Sequence, residues 1–168
     1  MLAAARTVSL AFLAWFLLRQ FAVAGSPLSV EAAREIVNRV NLAEHGGWFT
    51  AGDVLAIIEI ESRFDPAAYR YEPHLDDASI GLMQTLYSTA LDRGLIGGPA
   101  ALFDAETSIQ MGMRQLAWSF QYLHGKLGRP PTEAEWIGSY NAGVGSILKG
   151  RHPVEYVRRW RAARGRYA

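Results

Sequence analysis

Val54-Leu55-Ala56-Ile57-Ile58-Glu59-Ile60-Glu61-Ser62 is apolar on nearly every side, yet it carries two carboxylates near its C-terminal end. A helix that is apolar all round lies inside its domain. Helical spacing puts Glu61 on the face of Ile57 and Ile58, with Glu59 about 200° away, so the two acids do not share one site. Backbone carbonyls make a helix C-terminus locally negative, and apolar walls disfavour a charge; both raise a carboxyl pKa. A carboxyl kept neutral near working pH is what a general acid needs. The residues alone leave an equal alternative, in which Glu61 forms a structural ion pair with an arginine such as Arg63.

Outward from this helix the chain reads as a string of capped helices. Thr50-Ala51-Gly52-Asp53 resembles a capping box just ahead of it. Ser29 precedes an amphipathic stretch, Val30 to Val40, closed near Gly46-Gly47. Asp104 caps a long helix from about Ala105 to Leu123, with Ile109, Met113, Leu116 and Phe120 on one stripe. Thr132-Glu133-Ala134-Glu135 is a second capping box, opening a helix through Tyr140. Pro153 suits the first turn of a last helix, Val154 to about Ala163. No stretch alternates as a strand does, and no repeat is visible. The fold class is therefore mainly α. The longest irregular piece, Asp65 to Ser79, joins two helical segments, and loops of that length in compact domains are usually functional.

The 168 residues include no cysteine, which excludes disulfides, thiolate metal sites, cysteine catalysis and a lipidated cysteine. Residues 1–24 differ sharply from the rest. Arg6 is followed by an apolar run from Val8 to Leu18, interrupted only by Ser9, and then by Ala22-Val23-Ala24. This is the layout of a secretory signal peptide. The alternative is a membrane anchor, for which the run before Arg19 is short unless Arg19 snorkels. The expectation is an exported protein of the periplasm or cell envelope, with a signal peptide or anchor over 1–24 and one catalytic domain over 25–168.

Without Arg6 and Arg19 the 17 basic side chains become 15, against 16 acidic ones. That near-neutral total makes nucleic acid a poor partner. Residues 149–168 concentrate Lys149, Arg151, Arg158, Arg159, Arg161, Arg164 and Arg166 against Glu155. Such a tail is either the solvated face of a terminal helix or a contact for anionic envelope polymers or lipid.

Four blocks then occur in order: Glu61-Ser62-Arg63-Phe64-Asp65-Pro66, Gly81-Leu82-Met83-Gln84, Leu102-Phe103-Asp104 with Gly112 and Leu116, and Tyr140-Asn141-Ala142-Gly143. Together they closely resemble the signature blocks of the soluble lytic transglycosylase family, over about residues 30–160. The resemblance implies a single lysozyme-like (goose-type) helical domain that cleaves peptidoglycan between N-acetylmuramic acid and N-acetylglucosamine. It implies that Glu61 is the catalytic acid and then the base, closing a 1,6-anhydro ring. Gln84 would lie beside the substrate's N-acetyl group, and Gly81 would let the backbone pass close to the sugar. The hydroxyl of Tyr140 would reach the catalytic carboxyl, with Asn141 in the same turn. Read without the resemblance, Met83 and Tyr140 are core residues, and Asn141 and Gly143 a helix cap.

The chain also departs from the family pattern. The segment from Glu61 to Gly81 is longer than usual, the loop's small hydroxyl residue has no clear counterpart, and Ala105 and Ser108 replace the usual proline and asparagine. Tyr69 and Tyr71 in that loop either stack on sugar rings or hold the loop to the domain. Asp76 and Asp77 are the candidates for a second carboxylate, if they are not simply solvated. His45, His74, His124 and His152 lack metal-ligand spacing, so no metal and no cofactor is expected. Rival expectations are a muramidase that uses water, or a wall-binding or assembly protein without turnover. Partners would be peptidoglycan strands and, by analogy with small single-domain members, envelope-spanning secretion or assembly machinery, with membrane contact through residues 1–24.

Overall fold

The computed structural model describes residues 26–168, so the expectations for 1–24 lie outside the described residues. Among the described residues seven α-helices run in chain order: α1 Val30–His45, α2 Ala51–Ser62, α3 Tyr87–Asp92, α4 Ala105–Leu127, α5 Glu133–Ala142, α6 Val144–Leu148 and α7 Val154–Tyr167. Three short strands, β1 Tyr69–Glu72, β2 Asp77–Ile80 and β3 Thr85–Leu86, fall between α2 and α3, and a 3-10 turn spans Pro99–Phe103. The fold is mainly α, as the capping signals predict.

Those signals act as expected. Ser29, Thr50, Asp104 and Thr132 each accept a backbone N–H from the first turn of their helix, and the boxes at Thr50/Asp53 and Thr132/Glu135 are reciprocal. Each such cap is worth about 1 kcal/mol and fixes where the helix starts. Gly46 and Gly128 close α1 and α4 in the left-handed conformation.

Helix α2 is the central element. Residues 52 to 58 are all buried, and Val54, Leu55, Ile57 and Ile58 show no exposed surface. At about 1.5–3 kcal/mol per fully buried aliphatic side chain, these four alone match the net stability of a typical domain. They pack with Val37 and Val40 of α1, Ile109, Met113 and Leu116 of α4, and Trp160 and Ala163 of α7. Helix α7 lies along α2. Trp160 Nε1 donates to the Asp53 carbonyl at 3.0 Å, and Arg164 pairs with Asp53 at 2.7 Å. The basic tail lies mostly on the solvated face of α7, where several of its side chains are paired: Arg161 and Arg164 with Glu133, and Arg166 with Glu59.

The segment expected to be irregular is instead a β-hairpin. β1 pairs antiparallel with β2, Tyr69 opposite Ile80 and Glu72 opposite Asp77, and β2 pairs with β3. Strands of two to four residues are too short for alternation to show in a sequence, which is why the periodicity does not reveal them. Ala78 and Ile80 pack with Ala90, Leu95, Leu102 and Met111 in a second small apolar cluster that Tyr69 joins from its edge.

Candidate functional site

Helix α2 ends at a cleft of about 470 Å³, within the range of small-ligand sites. Glu61 comes from the end of α2, Arg70, Glu72, His74 and Ser79 from the hairpin, Gln84 from the next turn, Thr85 from β3, and Tyr140 to Gly143 from the end of α5. Two successive left-handed residues, Arg63 (φ 55°) and Phe64 (φ 63°), end α2 and turn the chain away towards the hairpin.

Glu61 is partly exposed to the cleft, and burial pushes its carboxyl pKa up. Opposing that, Tyr156 of α7 donates its hydroxyl to Glu61 Oε1 at 2.7 Å, and the charges of Arg70 and Arg159 favour the ionised form. Among the described residues Glu61 enters no ion pair, so the structural pairing with Arg63 is not made. Glu59 turns the other way, as its place on the helix predicts, and binds Arg166 and the Tyr167 hydroxyl.

The structure departs from two of the sequence expectations and bears on two alternatives that the sequence leaves open. The hydroxyl that bonds Glu61 belongs to Tyr156; that of Tyr140 donates to the Met83 carbonyl at 2.8 Å, although its ring lines the same cleft. The sequence does hold a signal for Tyr156, because it shares a helical stripe with Trp160 and Ala163, and a tyrosine on a core-facing stripe needs a buried partner for its hydroxyl. Gly81 does not face the cleft: a Cβ there would lie 2.0 Å from the Leu102 carbonyl oxygen, so this glycine serves packing between backbones. Tyr69 and Tyr71 do not line the cleft either. Successive strand residues face opposite sides, so β1 turns Arg70 and Glu72 to the cleft and its tyrosines away, and the Tyr71 hydroxyl holds Asp76 at 2.7 Å.

Finally, the second carboxylate in the cleft is Glu72, not Asp76 or Asp77. Asp77 caps the start of α3 through the Ser88 N–H and hydroxyl. Glu72 accepts from Arg70 Nε at 2.6 Å and from Ser79 Oγ at 3.2 Å. The Arg70 guanidinium holds its carboxyl below the usual range, which makes it a weak base.

The remaining candidates keep their places. Gln84 lines the cleft at φ 47° while its amide nitrogen ties the hairpin base through the Ala68 and Gly81 carbonyls, 3.1 and 3.0 Å away. Asn141 is exposed at the cleft mouth, and Gly143, not Asn141, caps α5. Met83 is a core residue, lying over Gly112 with its N–H given to Ser108 Oγ at 3.2 Å. Ser108 thus holds the Gly81–Gln84 turn.

The profile of the Transglycosylase SLT domain family matches residues 50–157, from the cap of α2 to the residue after Tyr156. The chain belongs to that family. It is 34% identical over 104 residues to membrane-bound lytic murein transglycosylase C of Actinobacillus pleuropneumoniae, with the same figures for strains of serotypes 5b and 3. The match takes in 57% of this chain and 27% of each relative, so the chain spans about a quarter of their length. The 70 kDa soluble lytic transglycosylase of Escherichia coli shares the fold, with a TM-score of 0.51 at 24% identity over 76% of this chain and 22% of that one. The lysozyme-like architecture expected from the signature blocks is therefore that of this transglycosylase domain.

Proposed function

We propose that this chain is a peptidoglycan lytic transglycosylase that cleaves the β-1,4 bond from N-acetylmuramic acid to N-acetylglucosamine, with Glu61 as its one acid and base. The observation that carries the reading is a partly buried carboxyl facing a sugar-sized cleft, with one oxygen held by Tyr156 and the other left for substrate. Burial favours the protonated form, so Glu61 gives its proton to the leaving O4 as the C1–O4 bond breaks. The substrate's N-acetyl oxygen covers C1 in the interim, an accepted exception to two-carboxylate catalysis. The muramic 6-hydroxyl then attacks C1 and returns its proton to Glu61, closing a 1,6-anhydro ring. Incubating the protein with purified sacculi tests the activity: soluble muropeptides are expected, and intact sacculi would count against it.

Glu72 favours one second reading, hydrolysis by a base-activated water. Its bonds to Arg70 and Ser79 weigh against it, because a carboxylate so engaged is a poor proton acceptor.

Tyr156 gives a further test. Its hydrogen bond favours ionised Glu61, so Tyr156→Phe raises the pKa of Glu61. The general acid works protonated, so the high-pH limb of the kcat/KM profile moves to higher pH in the variant. An unmoved limb would separate Tyr156 from the acid.

We also propose export to the cell envelope, on the pattern of residues 1–24 and the membrane-bound description of the A. pleuropneumoniae relatives. Among the described residues no helix is long and apolar enough to cross a membrane. Mass measurement of the protein from an exporting bacterial host is expected to show loss of residues 1–24; a full-length, membrane-extracted product would establish an anchor instead.

A further inference from the structure

The hairpin brings a single guanidinium into a cleft whose other lining groups, among the described residues, are acids, one histidine, and neutral polar or apolar side chains. Strand alternation turns Arg70 and Glu72 to the same side, and Ser79 stands directly opposite Arg70 on β2. Glu72 takes a hydrogen bond from Arg70 Nε and is itself steadied by Ser79 Oγ. That engages one edge of the guanidinium. Among the described residues its two terminal nitrogens make no hydrogen bond, and the side chain is 64% exposed. Arg70 also lies near enough to Glu61 for its charge to act there, so its free edge is close to where the glycosidic bond must sit. His74, beyond the end of β1, adds a second nitrogen donor to this wall.

A guanidinium with a free, oriented fork is matched to a carboxylate, which it binds through two parallel hydrogen bonds. On the peptidoglycan reading, which this inference rests on, the sugar backbone is uncharged and carboxylates hang only from the muramic acid. They sit along the stem peptide where it is retained, and on the lactyl group where it has been removed. We propose that Arg70 is a specificity-determining residue that binds a carboxylate carried by the muramic acid, with Glu72 as the positioning residue that aims it. The long hairpin then serves to carry the recognition group to a point beside the acid.

The test is steady-state cleavage by the full chain of two substrates, peptide-bearing strands and strands stripped of peptide by an amidase. Arg70→Gln is expected to raise KM about five- to tenfold on one of the two, with kcat changed less than about twofold, the size of effect expected for a charge-assisted bond at an exposed site. The substrate affected identifies the carboxylate, stem peptide or lactyl. Glu72→Gln keeps an acceptor for Arg70 Nε but loses the charge that aims it, so KM on that same substrate is expected to rise, by less than in Arg70→Gln. Arg70→Lys, which keeps the charge and loses the fork, is expected to lie between wild type and Arg70→Gln. If Arg70→Gln and Glu72→Gln lower kcat alike on both substrates, the pair is structural and the proposal is overturned. It is equally overturned if Arg70→Gln leaves both KM values unchanged, or raises them equally. Failure of the wild type to cleave either strand would instead defeat the transglycosylase reading itself.

Discussion

Glu61→Gln is expected to lower wall cleavage by about 10²–10⁴, the usual cost of losing a general acid, while making the protein more stable at neutral pH. The two effects have one cause. Burial holds the folded-state pKa of Glu61 above its unfolded value. Below about pH 4 both states keep the proton, and the group is neutral to stability. As pH rises the unfolded chain releases its proton first, so stability falls until the folded-state pKa is passed. Glutamine has no proton to release and still accepts the Tyr156 hydroxyl. The melting temperature of the variant should therefore exceed that of wild type at pH 7 and converge with it in acid. Retained lysis with an unchanged circular dichroism spectrum would remove Glu61 from the chemistry; a lower melting temperature at pH 7 would contradict its burial cost.

The largest structural effect is expected at a residue that never touches the cleft. Gly81 has φ 76°, and a Cβ there would meet the Leu102 carbonyl oxygen at 2.0 Å and Ser108 Oγ at 2.7 Å. A carbonyl in the backbone cannot swing aside as a side-chain tip can. Strain at positive φ and overpacking add, so Gly81→Ala should cost about 3 kcal/mol or more, on the order of 10 °C in Tm. Gly125 supplies the contrast, since it lies exposed in α4 with nothing within 4 Å of the place a methyl would take. Gly125→Ala should stabilise by about 0.5–1 kcal/mol through helix propensity. Thermal melts of the two variants check both signs, and a Gly81→Ala protein as stable as wild type would refute the packing account.

Much of this architecture is legible in the sequence because its determinants are local. Ser29, Thr50, Asp104 and Thr132 start their helices where their side chains meet the first-turn amides. The inward, apolar α2 with Glu61 at its end follows from composition and helical spacing alone, as does the opposite heading of Glu59. What is not legible is set by distant partners. The pairing of Arg70 with Ser79 across the hairpin depends on strand register, and β1 is four residues long. Read as an irregular loop, the segment offers its aromatic residues Tyr69 and Tyr71, and only the strand it forms turns Arg70 and Glu72 to the cleft instead. Tyr156 meets Glu61 across 95 residues of chain, and only the packing of α7 on α2 brings them together. Gly81 sits in a recognisable block, but its neighbour Leu102 cannot be read from that block.

Mass analysis of muropeptides released from purified sacculi, before and after borohydride treatment, tests the central claim most directly. If the 6-hydroxyl is the nucleophile, no second carboxylate is needed, because the sugar ring already holds the attacking group close to C1. The products should end in 1,6-anhydro-N-acetylmuramic acid, each one water lighter than a hydrolysis product and inert to borohydride. Reducing ends that take up hydride would contradict the account and would make Glu72, freed from Arg70 and Ser79, the base that activates water.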